Sequence, residues 1–166
     1  MIFSNNLKEI KKEFFKKNNI YFLVLIFIIF TIDRISKLKI IGSFSDDIYY
    51  LNDFINLDLI WNIGIGFGLL STDSSLLYNL VSIIVATVLI YLIYILIMSD
   101  NLDKFIFSII IGGALGNFYD RLIYKAVPDF IDIHYNSFHW FTFNMADIFI
   151  TLGIMAFILR SFFIKN

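Results

Sequence analysis

The sequence holds no cysteine, a single proline and few charges, with 16% of its 166 residues being Asp, Glu, Lys or Arg. Without cysteine there is no thiolate nucleophile, no Cys-ligated zinc, no iron–sulfur cluster and no disulfide scaffold. Charge this sparse, against about a quarter in an average soluble domain, argues against both a disordered chain and a typical cytosolic enzyme. A net charge of −1 supplies no electrostatic footprint for a nucleic-acid partner, and none is expected. What fills the space is apolar: 59% of the residues are hydrophobic, 20 are phenylalanine, and the mean hydropathy is +0.80. These proportions indicate a membrane protein.

The apolar residues gather in four stretches. Leu76 to Met98 is an uncharged run of 23 residues, enough to cross a hydrocarbon core ~30 Å thick at ~1.5 Å per residue. Ile20 to Ile32 is shorter and extends to Ile41 if charges are allowed near its end. Phe105 to Tyr119 reaches spanning length with Leu102 and Leu122, and Met145 to Ile164 does so if Asp147 is tolerated near one end. Helices are therefore expected at about 20–41, 76–98, 102–122 and 145–164, in one integral-membrane domain covering 1–166. The lysines ahead of the first stretch give it the look of a signal peptide. Thr31-Ile32-Asp33-Arg34-Ile35-Ser36-Lys37 follows instead of a small-residue cleavage site, which indicates an uncleaved helix.

Basic residues set the expected orientation. With the N-terminus inside, Lys8, Lys11, Lys12, Lys16, Lys17, Lys104, Arg160 and Lys165 are cytoplasmic, eight in all, against five outside: Arg34, Lys37, Lys39, Arg121 and Lys125. Both termini are placed in the cytoplasm, with two long external loops at roughly 38–75 and 123–143. In the first loop, Phe54-Ile55-Asn56-Leu57-Asp58-Leu59 alternates apolar and polar residues and predicts a strand in a small external flap or sheet. The fold class is thus all-α polytopic, with a small β-like flap on the first external loop.

In a bilayer protein an ionisable group at membrane depth is a functional hypothesis by default. Here these groups collect on one boundary: Asp33 and Lys37 four residues apart on the first helix, Asp120 and Arg121 closing the third, Asp129 shortly after, and Asp147 opening the fourth. Asp33 with Lys37 reads first as a structural ion pair, and Asp120 with Arg121 as a helix-end anchor. Asp129 and Asp147 could be ordinary loop charges, but Asp147 lies between largely apolar neighbours and must be paired or protonated there. Two carboxylates meeting at low dielectric share a proton. One can then activate water while the other protonates a carbonyl oxygen. A proton-relaying transporter or channel subunit would use similar carboxylates, but transporters place them near the bilayer midplane.

Other chemistries fit less well. Ser36 and Lys37 are adjacent and point about 100° apart on a helix, which disfavours a Ser–Lys dyad. His134 and His139, with Asp132 nearby, make a metal site conceivable, but the i, i+5 spacing matches no metalloprotease helix motif and the histidines read as solvated loop residues. Gly64, Gly66 and Gly68 lack the strand–helix context of a phosphate loop.

Five blocks together resemble the lipoprotein signal peptidases (signal peptidase II, or prolipoprotein signal peptidase), over nearly the whole chain after the N-terminal tail. They are Asp33-Arg34-Ile35-Ser36-Lys37; Asn62-Ile63-Gly64-Ile65-Gly66-Phe67-Gly68; Gly112-Gly113-Ala114-Leu115-Gly116-Asn117-Phe118-Tyr119-Asp120-Arg121; Val127-Pro128-Asp129-Phe130-Ile131; and Phe143-Asn144-Met145-Ala146-Asp147. The resemblance implies a four-helix inner-membrane aspartic endopeptidase that removes the signal peptide from diacylglyceryl-modified prolipoproteins, cutting before the lipid-bearing cysteine. It implies Asp129 and Asp147 as the catalytic pair, with Asn117, Arg121 and Asn144 lining the site and Asp33, Lys37, Asn62 and Asp120 supporting it. It further implies an active site at the outer face, no metal or organic cofactor, contact with membrane lipid, and sensitivity to globomycin-type peptide inhibitors. Ile63, Ile65 and Gly66 depart from the usual threonine, alanine and alanine or serine, and Pro128 from the usual valine. An extended approach to Asp129 should accommodate that proline.

Overall fold

The structure, a computed structural model, describes residues 19–43, 48–64 and 75–164. Among the described residues four helices carry the chain: α1 (Asn19–Ser43), α2 (Ser75–Met98), α3 (Asn101–Tyr124) and α4 (Met145–Ile164). All four are long and apolar enough to cross a membrane, and a helix is the form in which an apolar segment satisfies every backbone group without water. Each runs within three residues of its expected bounds.

The helices are not equivalent. The apolar span of α3 is 61% buried inside the protein, against 22% for α1 and for α2 and 11% for α4, so α3 is the central post around which the others stand. Its glycines explain how. A Cβ on Gly112 would meet Ile29 of α1 at 2.8 Å, and one on Gly113 would meet the Ala146 carbonyl of α4 at 2.6 Å. A small-residue stripe lets neighbouring backbones approach, which in lipid takes the place of a hydrophobic driving force. The remaining helix faces expose Phe27, Ile83, Ile90, Phe162 and other large apolar side chains, as a lipid-facing surface requires.

At the opposite end from the sheet, Asp100 caps α3 by accepting from the N–H groups of Leu102 and Asp103 at 2.9 and 3.0 Å. Arg160 of α4 pairs with both Asp100 and Asp103, tying the start of α3 to the end of α4.

The expected strand in the first loop exists as β2 (Ile55–Asn62), and β1 (Tyr49–Asn52) precedes it. The flap is larger than expected. The loop between α3 and α4 adds β3 (Val127–Tyr135) and β4 (Phe138–Phe143), making a four-stranded antiparallel sheet in the order β1-β2-β3-β4. Asn52 turns the first hairpin by accepting from the N–H groups of Phe54 and Ile55. Asn136, at φ 52°, turns the second. Pro128 lies where β3 pairs with Trp61 of β2 but has not yet met β4, whose pairing starts at Ile131, so the missing N–H breaks no ladder on that side. Three basic residues assigned to the external loops, Arg34, Lys37 and Lys39, belong to α1, and Arg121 belongs to α3.

Candidate active site

The polar end of the bundle contains two arrangements built by different means. The first is an ionic quartet between α1 and α3. Lys37 spends its three donors on Asp33 Oδ2 at 2.9 Å, Asn117 Oδ1 at 2.8 Å and Asp120 Oδ2 at 2.8 Å. The other oxygen of Asp120 accepts from Arg34. Asp33, Lys37 and Asp120 are completely buried. Two carboxylates against two cations sum to zero, the condition under which charges survive at low dielectric. Gly116 makes room for the quartet, because a Cβ there would collide with Asp33 Oδ2.

Asp33 also reaches across to α4, accepting from the Ala146 N–H at 3.0 Å. That donor is one of those a helix start leaves without an intrahelical partner. A second is satisfied by Asn144, whose Oδ1 accepts from the Asp147 N–H at 3.2 Å while Asp147 Oδ2 accepts from the Asn144 N–H at 3.1 Å. This is a reciprocal capping box with aspartate in place of glutamate. The start of α4 therefore fixes the Asp147 carboxylate against a helix N-terminus, where negative charge is favoured.

The second arrangement is the Asp147–Asp129 pair. Asp147 Oδ1 accepts from Asn117 Nδ2 at 2.8 Å. Asn117 has no freedom to flip, because Lys37 holds its carbonyl oxygen and can only donate. Asp129 arrives from β3, opposite Ile60 of β2. Its oxygens accept from Asn62 Nδ2 at 2.9 Å and Asn144 Nδ2 at 2.5 Å. Asn144 thus bonds both carboxylates. In contrast to the quartet, every one of these partners is a neutral amide.

Burial pushes the Asp129 carboxyl up to about 6, and the negative charge of Asp147 adds to the rise. The amides of Asn62 and Asn144 and the charge of Lys37 pull the other way.

The pair opens on a cavity of about 380 Å3 between α2, α3, α4 and the start of β3. Its polar lining is Asn62, Asn117, Arg121, Asp129, Asn144 and Asp147, and its apolar lining includes Val85, Ala114 and Ile154. Arg121 forms no direct ion pair among the described residues. It donates to the carbonyls of Asn117 and Gly64 at 3.2 and 3.0 Å, and its buried Nε has no hydrogen-bond partner among them. A larger apolar groove of about 450 Å3, lined by Leu23, Phe27, Phe30 and Phe118 among others, lies between α1 and α3 and holds no titratable carboxylate.

Every site residue expected from the sequence except Arg121 lies in one of these two arrangements, and Arg121 lines the cavity beside them. Arg34, counted there only as a loop charge, turns out to be the second cation of the quartet; its place one residue after Asp33 and three before Lys37 was the available signal. Tyr78 of α2, which bonds the Arg121 carbonyl at 2.9 Å, carried none. Ser36 gives its hydroxyl to the Asp33 carbonyl and stands apart from Lys37's contacts. One reading needs correction: His134, read as solvated, is 8% exposed, whereas the His139 side chain is 55% exposed. Asp120 and Arg121 do stand near the end of α3, and both are buried. Gly66 and Gly68, with Ile65 and Phe67, lie outside the described residues.

Fold and site define a class: a polytopic membrane protein with a carboxylate pair over a cavity at one end of its helices. The comparisons with known proteins narrow it. Residues 25–163 match the family described as signal peptidase (SPase) II. A lipoprotein signal peptidase of Pelagibacter ubique is 48% identical over 154 residues, covering 90% of this chain and 92% of that one. Another, of Thermodesulfovibrio yellowstonii, is 40% identical over 139 residues, covering 83% and 92%. A bacterial membrane enzyme solved by the in meso method superposes with a TM-score of 0.74 at 26% identity, covering 88% of this chain and 90% of that one. The chain belongs to the signal peptidase II family, and it is a multi-pass membrane protease.

Proposed function

We propose that this protein removes the signal peptide from diacylglyceryl-modified prolipoproteins, and that it does so as an aspartic endopeptidase through Asp129 and Asp147. The observation that carries the mechanism is Asn144, which bonds one oxygen of each aspartate and so presents both to one cavity. Asp129, raised to about 6, is the group suited to hold the shared proton as acid. Asp147, at the helix N-terminus with two N–H donors on it, is suited to act as base.

The chemistry balances without a covalent enzyme intermediate. Asp147 takes a proton from water as the oxygen attacks the scissile carbonyl, and Asp129 gives its proton to the carbonyl oxygen. The C–N bond then breaks as a proton passes to the leaving amine. Asn62, Asn117, Asn144 and Arg121 position the pair and the unwound substrate backbone. Asp33, Lys37 and Asp120 hold the helices that carry them.

In this reading the protein is a single domain of the cytoplasmic (inner) membrane with both termini cytoplasmic and the cavity at the outer face. The acyl chains of the substrate rest in lipid against the exposed apolar helix faces. The same cavity is where a globomycin-type peptide would act. The transporter reading is not favoured by the family assignment.

The test is cleavage of a purified lipidated prolipoprotein in liposomes, with its unlipidated form as control. Cleavage of the lipidated substrate alone, retained by Ser36→Ala and lost in Asp147→Asn, supports the proposal. Loss in Ser36→Ala with Asp147→Asn active overturns the aspartic mechanism, and equal cleavage of the unlipidated form overturns the substrate class.

A further inference from the structure

The β3–β4 hairpin carries a second cluster, outside the cavity. Asp132 and His134 are two residues apart on β3 and so share a face of the strand. His139 of β4 pairs directly with His134, and the register shifts beside that pair. The shift arises because Trp140 is the extra residue of a bulge between the His134↔His139 and Ile133↔Phe141 pairs. One ligating atom from each of Asp132, His134 and His139 lies within 4.8 Å of the other two. Asp132 Oδ2 is 2.7 Å from His139 Nδ1 and 3.8 Å from His134 Nδ1. Those distances bracket the roughly 3.3 Å that separates ligand atoms around a tetrahedral ion with bonds of about 2.0–2.1 Å.

Two further observations point to a ligand. His134 is more than nine-tenths buried, yet its Nδ1 has no hydrogen-bond partner among the described residues, and an unsatisfied buried ring nitrogen is costly. The two imidazoles also stack, with ring centroids 5.4 Å apart and planes 24° apart, so both nitrogens face the same carboxylate oxygen. Packing alone would leave His134 Nδ1 unsatisfied.

We infer that Asp132, His134 and His139 form a binding site for one divalent transition-metal ion of the zinc class. Two imidazoles and one carboxylate suit such an ion and do not suit magnesium or calcium, which take oxygen ligands. Three protein ligands leave a position for water, and His139, whose side chain is 55% exposed, provides the entry. The ion would pin the turn end of a hairpin whose other end holds Asp129, at the start of β3, and Asn144, just past β4. Its role is to stiffen that hairpin. No step of peptide hydrolysis passes through it, and the inference stands whether or not the two aspartates are catalytic.

The test uses the full-length protein in detergent with any affinity tag removed and metal stripped by chelator. Zn2+ is titrated by calorimetry, and Co2+ is followed by its visible ligand-field absorption. One Zn2+ per chain is expected, with Co2+ bands of low-symmetry coordination and a rise in Tm that Mg2+ does not produce. His139→Gln, at the exposed ligand, should fold normally, weaken Zn2+ binding at least tenfold and abolish the Co2+ bands; Asp132→Asn should do likewise. No stoichiometric Zn2+ binding, equal binding by His139→Gln, or an equal response to Mg2+ would each overturn the site.

Discussion

Within one polar end of the bundle, Asp33 and Asp120 are bonded to Lys37 and Arg34, whereas the partners of Asp129 and Asp147 among the described residues are asparagine side chains and a backbone N–H. The first pair is neutralised and sealed. The second has no cation bonded to it; burial first, and then the charge of Asp147, raise Asp129 to about 6. Nearness to the cavity follows the same division, since Asp129 and Asp147 line it and Asp33 and Asp120 do not. Cations stabilise a carboxylate as an anion, which suits structure. Neutral amides hold its orientation while leaving it able to exchange a proton, which suits acid–base work.

That contrast breaks most visibly at Lys37. Lys37→Ala leaves two buried carboxylates with one cation and releases Asn117, so a loss of about 3 to 5 kcal/mol is expected, enough to abolish folded protein in detergent. Thermal unfolding followed by circular dichroism would show it, and a fully folded Lys37→Ala protein would contradict the structural role of the quartet. Gly116→Ala should follow, at about 1 to 3 kcal/mol, because the new Cβ displaces Asp33. A Tm equal to that of the native chain would mean α1 and α3 are less tightly joined than described.

Asp33→Asn keeps the shape and removes one charge of the quartet. It should lower stability by about 1 to 3 kcal/mol while kcat per folded molecule stays within a few-fold. A folded Asp33→Asn protein with no turnover would move Asp33 from the structural set to the chemical one. The smallest effect is electrostatic. Asp147→Asn removes the negative charge that opposes ionisation of Asp129, so the Asp129 pKa should fall below about 6, while burial keeps it above 3.8. Carbon-13 NMR of labelled aspartate across a pH series reads this directly, and an unchanged value would show the two groups to be uncoupled.

The helices were legible because apolar runs of spanning length have few other solutions, and the proposed Asp129–Asp147 pair was picked out because its sequence blocks resemble a known family. The sheet was half legible. Phe54 to Leu59 alternates with a period of two, but β4 is Phe138-His139-Trp140-Phe141-Thr142-Phe143, aromatic on both faces and bulged at Trp140, so its period is blurred. His134 was misread as solvated for a related reason. A spacing of five fits no helix face, yet across the two-residue turn Asn136-Ser137 it places His134 directly opposite His139. Arg34 was hidden by the charge count: tallied with the outer basic residues although it lies within the expected 20–41 helix, it turns to Asp120 of α3.

The most direct measurement compares turnover of a lipidated prolipoprotein by the native chain, by Asp129→Asn, by Asp147→Asn and by the double variant, with folding of each checked by thermal unfolding. Asparagine keeps the shape of aspartate but neither accepts nor delivers the proton. The account predicts that each single change removes activity on the order of 10^3-fold, that the double change removes little more, and that all three proteins stay folded. Near-native turnover by a folded Asp129→Asn or Asp147→Asn variant would contradict it.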